Sequence, residues 1–435
     1  MTSPFKIGMI GCGTVGSGVL ELLHRREEDL TRLLGRPIRV VRIVVRDPGR
    51  PRHHLAALTS SGVELSADPR SVTRGDGVDC VVEVAGGKDA PRDWMLDALL
   101  HKRDVVTANK AALAFHGAEI FAAAREAGRT VFYEASVAAA IPIIEMLQSG
   151  LVGNQMSRLS GILNGTCNYI LTRMEFDRLE YAAALAEAQA KGFAEADPTL
   201  DVSGGDSAHK LALLAGIVTR SHIPIEKIYT EGLDGITRED IEFGRTLQYR
   251  IKMLAIARRN DQGAWELRVH PTLIPADSIL AQVRDEFNAV HLKGDAVGPM
   301  LVYGKGAGAL PTASSVVADI VRAARREGSA ADSRPEGKKP ARLPELVPIE
   351  KVELRNYIRM TVLDVPGVLG RITSFLGLRH ISISSIHQPD AKIGQPVPVV
   401  LVTHKTADRV VTDALRDLEK ANLLLKPATR IRIEE

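Results

Sequence analysis

Cysteine is scarce in this sequence: Cys12, Cys80 and Cys167 are the only three in 435 residues. The count is odd and no CxxC or histidine spacing accompanies it, which argues against a disulfide framework and against a zinc site. No apolar run reaches the roughly 18 residues that a membrane span needs. The N-terminus lacks a charged region leading into a signal-type apolar core. A cytoplasmic protein with no membrane partner is therefore expected. Charge of one sign is not in excess either, with 56 Lys+Arg against 53 Asp+Glu. No basic block is interleaved with aromatics, so nucleic acid is not an expected partner. What is present, 45% hydrophobic and 25% charged residues, is ordinary for a globular chain. The length predicts two or three domains, large enough to bury about three quarters of their unfolded surface without a covalent or metal staple.

Over residues 1–140, short β-rich runs alternate with helical stretches. The pattern predicts strands at 6–10, 39–45, 78–84, 104–107 and 130–134, and a first helix at 16–28. Such alternation indicates βαβ units and a doubly wound parallel sheet covered on both faces. From 141 to 310 the pattern becomes α+β: helices at 143–149, 180–190 and 206–218, and strands at 156–163, 249–257, 265–270 and 296–303. A helix at 311–326 is expected to return to the first domain. Residues 327–350 hold four prolines and no apolar periodicity, and read as a linker. The remaining 351–435 follow the order βαββαβ, a ferredoxin-like arrangement.

Directly after the first strand comes Gly11-Cys12-Gly13-Thr14-Val15-Gly16. Alone a GxGxxG is a weak signal, but here a strand ends before it and an amphipathic helix opens within it. Gly11 permits a tight turn, Gly13 lets a pyrophosphate approach the backbone, and Gly16 lets helix and strand pack closely. The helix N-terminus then offers N–H groups to phosphates. The bland alternative is a glycine-rich turn with no ligand. A Rossmann-type cofactor domain is the expectation. After the second strand the chain reads Arg46-Asp47-Pro48-Gly49-Arg50, with Arg52 beyond. An acid there would suit the ribose of NAD; a guanidinium suits a 2′-phosphate. NADPH is favoured over NADH, although Asp47 blurs the choice and a solvated basic loop would look the same. Gly86 and Thr107-Ala108-Asn109-Lys110 lie at the carboxyl ends of the next strands, where an open α/β sheet binds its ligand. Lys110 could equally be a surface lysine of the following helix.

A second constellation lies at 191–210. Glu195, Asp197 and Asp201 are in a loop, Asp206 opens a helix and Lys210 follows one turn later on the same face. Reducing a carbonyl with hydride requires a proton donor at the new alkoxide. A lysine withdrawn from water can serve, because desolvation disfavours the charged amine. A carboxylate beside it holds the ammonium, and another, such as Glu195, suits a substrate α-ammonium. The competing explanation is an i,i+4 ion pair on a solvated helix.

Together with Tyr133-Glu134-Ala135-Ser136-Val137, Leu163-Asn164-Gly165-Thr166 and Tyr303-Gly304-Lys305-Gly306-Ala307-Gly308, these segments resemble the homoserine dehydrogenase family over essentially the whole chain. The resemblance implies NAD(P)H-dependent interconversion of L-aspartate 4-semialdehyde and L-homoserine, on the route to threonine, methionine and isoleucine. It implies Lys210 as proton donor and Asp206 as its support. It further implies Glu195, Asp201 and Lys110 around the substrate, and Gly308 near the cofactor. It also implies a monovalent cation, usually sodium, at Glu134 and the backbone of Val137, Ala139 and Ile141. Relatives commonly carry glycines where this chain has Ala138-Ala139-Ala140, which matters if the cation loop needs φ > 0. Residues 363–369 resemble the ligand loop of an ACT domain, which suggests threonine feedback; a dimerisation module that senses nothing fits as well. A homodimer or homotetramer is expected. Two rivals stay open at this point: a reductase of another small amino-acid aldehyde, and a sensor of cofactor and amino acid without turnover.

Overall fold

A computed structural model describes residues 3–49, 62–325, 342–390 and 392–435. The chain forms two compact units. One comprises Met1–Ser157, His209–Lys227 and Asn288–Pro344; the other comprises Arg158–Ala208, Ile228–Phe287 and Glu345–Glu435.

The first unit is built on six parallel strands: β1 Phe5–Ile10, β2 Ile38–Val44, β3 Glu64–Ser66, β4 Cys80–Glu83, β5 Asp104–Thr107 and β6 Val131–Phe132. Their order is β3-β2-β1-β4-β5-β6, the doubly wound arrangement whose strand order reverses beside β1. The strands are apolar because both sheet faces are covered: Ile7, Met9, Ile43, Val82 and Val106 share one core. The helix Ala309–Arg325 joins that core through Ala313, Val316 and Ile320. It packs on α1, Thr14–Arg25, where Gly18 leaves room for the Ala309 carbonyl.

Local sequence explains where the elements depart from expectation. The single helix foreseen at 16–28 is two, α1 and Glu27–Leu34, broken at Arg26. Glu27, Glu28 and Asp29 restart it, as acids favour a helix N-terminus. The strand foreseen at 130–134 is only β6, because Tyr133 turns the chain into a 3-10 turn at Glu134–Ser136. After Ile143–Glu145 the chain winds into a π turn, Met146–Gly150. Strands β3 and Phe287–Gly294 were not foreseen.

In the second unit a mixed sheet runs in the order Met156–Ile162, Tyr249–Arg259, Trp265–Pro275, Lys426–Ile433, Glu353–Leu363, Pro396–Thr403, Ile383–His387. The last four strands, with helices Val368–Gly377 and Asp408–Lys420, are the ferredoxin-like βαββαβ. Ile358, Met360, Ile372, Leu376, Leu401 and Val411 form its core. Two buried guanidiniums tie it to the rest of the unit. Arg268 pairs with Glu434, and Arg359 with Asp240 at 2.7 Å. Of the segment foreseen as a linker, residues 327–341 lie outside the described residues. Its end is pinned rather than loose: the Trp265 N–H donates to the Glu345 carbonyl and the Val347 N–H to the Trp265 carbonyl, both at 2.8 Å. Among the described residues no helix is long and apolar enough to cross a membrane.

Candidate active site

The glycine loop can be tested glycine by glycine. Gly11 has φ +102°, and a Cβ there would stand 2.7 Å from the main chain of Val84 and Ala85. A Cβ on Gly16 would stand 2.6 Å from the Gly11 carbonyl oxygen. Both are required by the fold itself. At Gly13 a Cβ would meet nothing within 4 Å. Gly13 is exposed and borders a cavity of about 900 Å³, a volume suited to a large ligand. The protein alone gives no reason for a glycine here; a ligand that must approach the backbone does. The cavity is also lined by Val44 and Val45 at the end of β2, Arg46, Asp47 and the Val84–Lys88 loop after β4. It therefore lies at the carboxyl ends of the strands beside the order reversal, and the residues present fit a dinucleotide.

Thr14, Val15 and Gly16 form the first turn of α1 beneath this loop. Gly86 lines the cavity with φ +75°. Arg46 is exposed at its rim, while the Asp47 carboxylate accepts the Gly49 N–H at 2.9 Å. Arg50 and Arg52 lie outside the described residues. Thr107 is fully buried, and its hydroxyl donates to Glu83 at 2.7 Å; only its main chain is left to offer a cofactor. Glu83, to which the sequence reading gave no role, also accepts the Ala85 N–H at 2.9 Å. Burial pushes its carboxyl up against those two bonds. It fastens β4 to β5 where the cavity opens. Gly308 has φ +116° and precedes the helix that packs on α1.

Lys110 starts the helix Lys110–Ala127, which Asn109 caps through the Ala112 N–H at 3.1 Å. This helix packs on Gly205–Thr219. The Phe115 and His209 rings meet edge to face at 5.2 Å. Leu113 and Ala114 face Ala212, Leu213 and Gly216 across a small void. Lys210 follows His209 and is only 9% exposed, so it is not on the solvated helix face that an ordinary i,i+4 ion pair would occupy.

Asp206, one turn earlier, is 4% exposed. Its carboxylate accepts a hydrogen bond from the Asn164 amide at 2.9 Å, and the same amide donates to Asp201 at 2.7 Å. Asn164 meanwhile caps the helix Gly165–Phe176, its oxygen accepting the Cys167 N–H at 2.8 Å. One side chain thus fixes a helix start and two carboxylates that lie 37 and 42 residues further on. Sequence reasoning quoted Asn164 without a role; an Asn at a strand-to-helix junction was the available signal. The loop carrying Glu195 is held at its root by the Thr166 hydroxyl donating to the Phe193 carbonyl at 2.6 Å. Glu195 itself is exposed. Asp197 caps the next turn by accepting the Thr199 N–H at 3.1 Å, and hydrogen bonding from the Thr199 hydroxyl and N–H holds its carboxyl low.

The expected cation loop has a fold-determining role of its own. The Glu134 carboxylate accepts the Ile144 and Glu145 N–H groups, both at 2.8 Å, and lies 3.7 Å from the Arg322 guanidinium. Burial pushes its carboxyl up, and pushes neighbouring Asp319 up to about 7. Each carboxylate oxygen accepts one N–H and keeps further lone-pair capacity for a cation. Main-chain oxygens offer the same. The Ala139 carbonyl accepts the Ser315 hydroxyl and the Ile141 carbonyl accepts the Ile143 N–H, so each retains a second lone pair. Ala138 and Ala139 have φ +53° and +42°, so the loop uses the left-handed region that favours glycine. Among the described residues no group of three or more His, Cys, Asp or Glu side chains is placed to hold a metal.

Three family models match the chain: the homoserine dehydrogenase NAD-binding domain over residues 11–134, homoserine dehydrogenase over 142–321, and the ACT domain over 356–422. Homoserine dehydrogenase of Pseudomonas aeruginosa is 44% identical, with 99% of each chain covered. That of Bacillus subtilis is 36% identical, covering 99% of this chain and 98% of its own. The crystal structure of a homoserine dehydrogenase from Thiobacillus denitrificans superposes with a TM-score of 0.92 at 41% identity, covering 100% of this chain and 99% of that one. The S. aureus homoserine dehydrogenase structure at pH 8.5 gives 0.76 at 30% identity, with both chains fully covered.

Proposed function

The chain belongs to the homoserine dehydrogenase family, and from that premise we propose that it reduces L-aspartate 4-semialdehyde with NADPH, on the route to threonine, methionine and isoleucine. Membership makes it an NAD(P)-dependent oxidoreductase, which sets aside the sensor without turnover and the reductase of an unrelated aldehyde.

The cofactor, when bound, supplies the hydride. Lys210 donates the proton required by the new alkoxide oxygen, and its burial limits competition from water for that proton. Asp206, one turn before it, holds the ammonium in place, and Asn164 holds Asp206. Glu195 binds the substrate α-ammonium, Asp201 lines the substrate side, and Lys110 meets both substrate and cofactor. The carrying observation is the buried Lys210 one turn beyond an aspartate that an asparagine amide fixes at 2.9 Å.

Arg46 supports the NADPH preference: it stands at the end of β2, exposed on the cavity rim, where an NAD enzyme would carry an acid. Sodium is held by Glu134 and the main-chain oxygens of Val137, Ala139 and Ile141. Threonine binds at the 363–369 loop, which lines a cavity of about 320 Å³ where the Gln388 amide donates to Asp364 at 3.1 Å. The domains are 1–140 with the helix near 311–326, 141–310, and 351–435. The enzyme works in the cytoplasm as a homodimer or homotetramer. Initial rates with the semialdehyde and each cofactor, with and without threonine, test this reading. Turnover faster with NADPH and slowed by threonine is expected; no turnover of the semialdehyde would overturn it.

A further inference from the structure

We propose that Lys88 is a ligand of the cofactor pyrophosphate, held ready by the ring of Phe115. The inference rests on the cofactor reading of the cavity but assigns a residue outside the glycine fingerprint.

The side chains that line the cavity with formal charge are Arg46, Asp47 and Lys88. Arg46 and Asp47 belong to the end of β2, the adenosine side of the fingerprint. A pyrophosphate at the start of α1 brings two negative charges. The helix N-terminus offers only about half an elementary charge, and the first turn of α1 carries no side-chain cation. Lys88 is the lysine among the cavity's lining residues and stands on the loop after β4. Gly86 and Gly87, at φ +75° and +96°, turn that loop so that Lys88 stands just before the helix Asp89–Leu100.

Lys88 is exposed, and a free lysine would lose side-chain entropy on gripping a phosphate. Its Nζ lies over the Phe115 ring, 4.7 Å from the centroid, a cation–π contact that restrains the ammonium without neutralising it. Phe115 is 47% exposed, a high value for a phenylalanine. The same ring packs edge to face on His209, the residue before Lys210. The ring therefore braces the phosphate lysine against the helix that carries the proton donor.

The test uses the full-length enzyme and direct fluorescence titration with NADPH and NADH, beside steady-state kinetics. Lys88→Met is expected to weaken both cofactors equally, five- to tenfold in Kd. Its kcat at saturating cofactor should stay within twofold, and its salt dependence of Kd should be shallower than wild type. Lys88→Arg should restore most of the affinity. Phe115→Leu, which keeps the lysine and loses the ring, should weaken both cofactors about threefold. An unchanged Kd in Lys88→Met, or a loss confined to NADPH, would overturn the pyrophosphate assignment. A wild-type enzyme that binds neither cofactor would instead sink the cofactor reading itself.

Discussion

Asn164 makes the sharpest demand on the account. Its amide donates to two carboxylates at 2.7 and 2.9 Å, and its oxygen caps a helix at 2.8 Å. Serine caps a helix about as well as asparagine, so Asn164→Ser spares the cap while removing both carboxylate bonds. Each is a charge-assisted bond worth roughly 1.5 kcal/mol or more. If Asp206 and Asp201 must be held for the reaction, about 3 kcal/mol is lost from the transition state. At about 1.4 kcal/mol per tenfold, that is roughly a hundredfold in kcat/KM. Asn164→Ala should show the same kinetic loss and, in addition, about 1 kcal/mol less stability from the missing cap. The assay is steady-state reduction of the semialdehyde at saturating cofactor, with cofactor Kd and denaturation midpoint measured alongside. A serine variant within threefold of wild-type kcat/KM would show that the amide serves the fold and not the chemistry.

Three further outcomes follow from named contacts. Gly13→Ala should leave the melting temperature within a degree or two, since a Cβ there meets no protein atom. It should still raise the cofactor KM at least about tenfold by obstructing the pyrophosphate; Gly11→Ala should instead lower the melting temperature, and the opposite pattern would refute the roles given to the two glycines. Arg46→Ala should raise KM for NADPH far more than for NADH, and equal effects would remove the 2′-phosphate contact. Burial pushes Lys252 down to about 8 from its usual 10.5, although Nζ donates to Asn168 and Val283. A depressed ammonium disfavours the folded state when charged. Stability is therefore greatest above pH 10.5, falls as the pH drops from 10.5 to 8 and levels off below 8, about 3 kcal/mol lower at pH 7. Denaturation midpoints from pH 7 to 10 should rise in wild type and stay flat in Lys252→Met; parallel curves would contradict this.

What the sequence made legible was whatever depends on near neighbours. The Gly11–Gly16 fingerprint, the strand and helix periods and the i,i+4 spacing of Asp206 and Lys210 all span a few residues. They correctly gave a doubly wound sheet and a C-terminal βαββαβ. A need for positive φ was the circumstance that would put alanine at a disadvantage in the cation loop, and Ala138 and Ala139 do have positive φ. What stayed hidden depends on distant partners. That Asn164 reaches Asp201 and Asp206, that Glu83 fastens Thr107, and that Glu134 is claimed by main-chain N–H groups follow from tertiary packing, which no local period encodes. The buried pairs Arg268–Glu434 and Arg359–Asp240 join residues 166 and 119 apart in the chain, a spacing that no local pattern encodes.

The central claim is that Lys210 supplies the proton. Lys210→Ala, measured for semialdehyde turnover and for NADPH binding in the same preparation, addresses it most directly. The account predicts turnover reduced by roughly 10²–10⁴-fold, the usual contribution of a positioned general acid, with NADPH Kd within threefold of wild type. Turnover near the wild-type rate would contradict it.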